Sequence, residues 1–90
     1  MRGYVYILRD NKGKLYIGST IDLNRRLTQH QVGHTKTTHR MIEPKLVFKQ
    51  LFSTIAEARR TERKLKAWKR KDYIEKIIED GYIRITLARP

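Results

Sequence analysis

The chain has 90 residues, with 21 Lys or Arg against 9 Asp or Glu, and a formal net charge of +12. With no cysteine there are no disulfides and no thiolate metal sites, and neither a bilayer-spanning apolar stretch nor the apolar run of a signal peptide can be found. This length predicts one domain, residues 1–90, with a small core, and the charge predicts a polyanionic partner, chiefly nucleic acid, in a cytoplasmic setting. An anionic membrane is the weaker match, because no basic amphipathic helix separates from the core pattern.

In chain order, Tyr4-Val5-Tyr6-Ile7-Leu8 and Leu15-Tyr16-Ile17-Gly18 alternate like strands. Between them, a three-residue loop ending on Gly13 predicts a hairpin. Its register pairs Asp10 with Lys14, Leu8 with Tyr16 and Tyr6 with Gly18. Alternation then puts Tyr4, Tyr6, Tyr16 and Gly18 on one face. Val5, Ile7, Leu15 and Ile17 fall on the other. Gly18 leaves room beside the phenols for a ligand. A helix follows from about residue 22, capped by Asp22 or Thr20, to about residue 32, where Gly33 stops it. Leu23 and Leu27 form its buried stripe, with Arg26 and His30 alongside and Arg25 opposite. Residues 33–40 lack periodicity and read as a basic loop.

Pro44 precedes a third strand over 45–52. Thr54 and Glu57 then form a capping-box pattern, opening a helix that runs to Ala67 or Trp68. A third helix spans 72–80 and stops at Gly81, with Tyr73, Ile74, Ile77 and Ile78 as its buried face. Residues 82–87 alternate again, like a short edge strand or ordered tail. The sum is an α+β fold: a three-stranded antiparallel sheet flanked by about three helices, mainly on one face.

Tyr4-Val5-Tyr6, then Tyr16-Ile17-Gly18, then the helix carrying Arg25-Arg26-Leu27-Thr28-Gln29-His30, resembles the signature of the GIY-YIG nuclease superfamily. The likeness runs from Tyr4 to Glu62. The family's first glycine is Tyr4 here, as in small stand-alone members. It is similar to the catalytic domain of homing endonucleases and of the excision-repair nuclease subunit, and implies the same architecture.

Each candidate residue has a plainer reading beside the functional one. Ile55, Ala58, Glu62 and Leu65 recur at helical spacing, so Glu62 lies in an inward stripe where a carboxylate needs a partner. A salt bridge to a nearby Arg or Lys would suffice. The resemblance instead implies that Glu62 binds one divalent metal, magnesium, with manganese as a substitute. Tyr6 and Tyr16 read as sheet packing by residue type alone. The resemblance gives Tyr6 the role of general base, while Tyr16 orients water or phosphate, or shares that role. Arg26 is a surface arginine or, by the resemblance, the phosphate clamp. His30 is a satisfied polar helix residue, a proton relay or a phosphate ligand.

Gly18, Lys36, Thr37, Thr38 and Arg40 are candidate nucleic-acid contacts. The basic run from Arg59 to Lys71 is a solvated face or a backbone-tracking surface. Trp68 reads as core or as a helix-junction anchor.

The expectation is a metal-dependent endonuclease, acting on DNA rather than RNA, in repair or recombination. The superfamily's larger members carry extra domains that choose the target. None is visible here, so a protein partner would supply that choice. The alternative is a non-catalytic nucleic-acid-binding module or adaptor on the same fold. Neither reading includes a membrane.

Overall fold

The computed structural model describes residues 1–31, 43–68 and 70–83. Three strands form one antiparallel sheet in the order β2-β1-β3: β1 (Gly3–Arg9), β2 (Leu15–Thr20) and β3 (Lys45–Phe52). The central strand is covered on both faces, and Val5, Tyr6, Ile7 and Leu8 are all buried. Such a strand carries a continuous apolar run rather than an alternating one.

The hairpin has the expected register, with Tyr6 opposite Gly18 and Leu8 opposite Tyr16. Gly13 sits at φ 84°, in the left-handed region its loop position requires. Its N–H donates to Asp10 O at 3.0 Å. The Asp10 carboxylate is itself buried, and accepts the Lys12 and Lys14 backbone N–H groups at 3.0 and 2.7 Å. Those bonds offset the cost of burying a charge. On the other side, Ile7 faces Phe48 while Leu8 faces Leu46. Val47 is therefore an extra residue, a bulge in the third strand.

Helices cover both sheet faces. α1 (Leu23–Gln31) places Leu23 and Leu27 on the face of Tyr4, Tyr6, Leu8 and Tyr16. α2 (Ile55–Trp68) and α3 (Lys71–Asp80) pack on the opposite face, around Val5, Ile7 and Phe48. Two of the three helices thus share one face.

Asp22 caps α1, its Oδ1 accepting the Arg25 N–H at 3.1 Å; Thr20 Oγ1 accepts the Asp22 N–H at 3.1 Å. Thr54 Oγ1 accepts the Glu57 N–H at 3.1 Å and opens α2 as the capping pattern predicts. α3 closes on Gly81 at φ 84°, whose N–H donates to Ile77 O at 2.9 Å. The expected end of α1 at residues 32–33 and the strand-like pattern over 84–87 lie outside the described residues.

Tyr73 departs from expectation. It is 48% exposed rather than in the buried face of α3. Its ring packs on Trp68, with centroids 4.8 Å apart, pinning the junction between α2 and α3. Ile74 and Ile77 carry the buried face. An Arg9–Glu75 ion pair ties β1 to α3. Among the described residues no helix is long and apolar enough to cross a membrane.

Candidate active site

The hairpin register brings Tyr6, Tyr16 and Gly18 together on the face that α1 covers. Tyr6 and Tyr16 have ring centroids 6.2 Å apart. The space over Gly18 is not left open for a ligand, as the sequence suggested. The Tyr6 ring fills it: a Cβ built on Gly18 would lie 2.5 Å from Tyr6 Oη and 2.6 Å from Cζ. An edge glycine thus accommodates a central-strand tyrosine, and Tyr6 is 0% exposed.

Helix α1 supplies the next two groups. His30 is buried, with Nε2 2.7 Å from Tyr6 Oη. Its ring lies 5.0 Å from that of Tyr16. Arg26 is half-buried and Arg25 exposed, as the helical spacing predicts. Burial pushes the Tyr6 phenol up, and the neighbouring Tyr16 phenol adds to this. The positive charge of Arg26 opposes them, and Glu62 raises it slightly further. Burial, then the charge of Arg26, holds the His30 imidazole below its usual value of 6.5. The pair is therefore a protonated phenol beside a neutral imidazole.

This has a consequence for stability. Below pH 6.5 the unfolded chain takes up a proton that folded His30 resists. Stability is then full above that pH and falls as the pH drops towards the folded value. Thermal unfolding is expected at lower temperature at pH 5.5 than at pH 7.5, with His30→Gln reducing the difference. An equal difference in the variant would overturn this assignment.

Glu62 approaches from the other side of the sheet. β2 is an edge strand, so α2 can reach around it. Ser19, adjacent to Gly18 but pointing the other way, donates its hydroxyl to Glu62 Oε1. Lys66, one turn along α2, lies 2.7 Å from Glu62 Oε2. The same Lys66 Nζ sits 5.8 Å from the centroid of the Tyr16 ring. Lys66 thus links the carboxylate of one face to the phenol of the other.

The inward stripe of α2 is Ala58, Thr61 and Leu65. Thr61 is fully buried because its hydroxyl donates to Glu57 O at 2.9 Å. Glu62 lies at the stripe's margin, its side chain 17% exposed. That position suits a ligand better than a core site would. Its two carboxylate oxygens, one accepting from an ammonium and one from a hydroxyl, are hard donors. Among the described residues no three His, Cys, Asp or Glu gather into a metal cage. One carboxylate completed by water and phosphate oxygens fits a hard divalent cation.

Reading the sequence overlooked Ser19 and Lys66. The i,i+4 spacing of Glu62 and Lys66 was the available signal for one. Ser19 carried none, since its role depends on which edge α2 overhangs. Lys36, Thr37, Thr38 and Arg40 lie outside the described residues.

Comparison with known proteins identifies the family. Residues 2–76 match the family model for the GIY-YIG catalytic domain. A UPF0213 protein of Bacillus pumilus is 37% identical over 78 residues, covering 82% of this chain and 80% of its own. One from Streptococcus pneumoniae is 39% identical over 70 residues, covering 77% and 71%. The solution NMR structure of a UPF0213 protein from Bacillus halodurans superposes with a TM-score of 0.57 at 33% identity, covering 90% of this chain and 87% of that one. The chain belongs to the GIY-YIG nuclease family, among relatives of the UPF0213 type.

Proposed function

We propose that the protein is a metal-dependent endonuclease that hydrolyses phosphodiester bonds, in DNA rather than RNA. The observation that supports this most is the Tyr6–His30 contact at 2.7 Å, beside a half-buried arginine and a carboxylate that reaches the same strand edge. A chain of net charge +12 would hold the polyanion. Its role would lie in repair or recombination, with recognition of backbone and shape rather than base edges.

In this reading Tyr16, half-exposed, meets the attacking water and orients it. Tyr6 lies behind it. Its raised phenol makes a poor store of negative charge, so it acts as a relay. As water attacks phosphorus, Tyr16 Oη takes the water's proton and passes its own to Tyr6 Oη, which passes its own in turn to His30 Nε2. Both phenols stay neutral, and the imidazole, held unprotonated, ends with the charge. Arg26 binds the phosphate oxygens and opposes the developing negative charge. Glu62 holds the metal ion, with Ser19 fixing one carboxylate oxygen. Bound there, magnesium would polarise the phosphodiester and offset charge on the leaving oxygen, and manganese could replace it. The bond to the leaving oxygen breaks, and that oxygen takes a proton from solvent.

The test is a panel of branched, nicked, duplex and single-stranded DNA, with matching RNA, with and without magnesium or manganese. Cutting that requires the metal, with DNA cut in preference to RNA, is expected. Salt-sensitive binding with no cutting of any substrate would replace this reading with that of a binding module.

A further inference from the structure

Lys66 reaches both the Glu62 carboxylate and the Tyr16 ring. We propose that its ammonium is the resident counter-ion of Glu62 and competes with the divalent ion for that carboxylate, thereby setting metal affinity. The proposal rests on the reading of Glu62 as metal ligand.

Both oxygens of Glu62 are engaged, and they are engaged differently. Oε1 accepts a neutral hydroxyl from Ser19, which can stay while a cation binds. Oε2 faces a full positive charge at 2.7 Å, which cannot. A divalent ion at Oε2 must repel or displace that ammonium. Lys66 is half-exposed on a flexible stem, so it can move. The face of the Tyr16 ring, within cation–π reach at 5.8 Å, keeps it at the site edge. Ser19 and Lys66 thus divide the work: one orients the ligand, the other keeps it neutralised until the metal arrives.

Titrating manganese alone into the full-length protein, with unbound ion counted by electron paramagnetic resonance, measures this without any turnover. Lys66→Met is expected to bind manganese about three- to tenfold more tightly, as for loss of a nearby unit charge in a partly screened site. Lys66→Arg keeps the charge and should stay near wild type. Arg63→Met removes a charge from the same helix without this contact, and should change affinity less than about twofold. Thermal melts verify that each variant is folded. Affinity in Lys66→Met that is unchanged, or raised no more than in Arg63→Met, would overturn the proposal while leaving Glu62 as ligand. Manganese binding that survives intact in Glu62→Gln, or is undetectable in the wild type, would overturn the ligand reading and this proposal together.

Discussion

Glu62→Gln is expected to cut nucleic acid at least about a hundredfold more slowly at saturating magnesium, and to remain folded. Gln has nearly the same shape, so it can still accept the Ser19 hydroxyl. It loses the negative charge that pairs with Lys66 and that would hold a hard cation. The lost ion pair is half-exposed on its lysine side and contributes about 1 kcal/mol or less. A melting temperature within a few degrees of wild type should accompany the loss of cutting. Nucleic-acid binding should persist, because net charge rises from +12 to +13 (one acidic residue removed). Fluorescence anisotropy at two salt concentrations, beside the cleavage assay, separates the two properties. Wild-type cutting by this variant would remove Glu62 from the chemistry altogether.

What the sequence disclosed and what it hid follow from how local each signal is. The hairpin was readable because Gly13 fixes the loop, and the loop fixes register through to Gly18. The caps at Asp22, Thr54 and Gly81 are likewise written within a few residues of where they act. Arg26 could be separated from Arg25 by helical angle alone. Side-chain burial was harder. Thr61 looks polar yet is fully buried, since a bond to its own helix satisfies its hydroxyl. Tyr73 looks apolar yet is half-exposed, because Trp68 offers it a partner outside the core. The bulge at Val47 left no trace in the pattern of β3.

The site repeats this lesson. Its tyrosines and histidine share one face of one hairpin and the last turn of the short helix that follows, so spacing predicts them. Glu62 comes from 43 residues beyond Ser19, around a sheet edge, and that path is a tertiary fact. The resemblance to a known family supplied what periodicity could not.

Gly18→Ala should lose both stability and activity, through Tyr6. The added methyl would sit 2.5 Å from the Tyr6 hydroxyl and 2.6 Å from Cζ, closer than carbon or oxygen ordinarily approaches, and 3.0 Å from a third atom of the phenol. A flexible surface side chain would move aside. Tyr6 has no exposed surface, is packed with Leu8 and Leu23, and is tethered to His30 through its hydroxyl. Overpacking of this kind costs roughly 1–3 kcal/mol. In a domain of this size that lowers the melting temperature by about 4–8 °C for each kcal/mol. Relief requires the ring to shift, which pulls Oη away from Nε2 and breaks the proposed relay. A double-mutant cycle isolates the cause. Tyr6→Leu removes those three phenol atoms but leaves a cavity, so it destabilises on its own. Combined with Gly18→Ala, the methyl enters space the ring has vacated. The double variant should therefore be more stable than the sum of the single losses predicts, yet remain inactive. Additive losses would mean that Tyr6 does not occupy the space over Gly18.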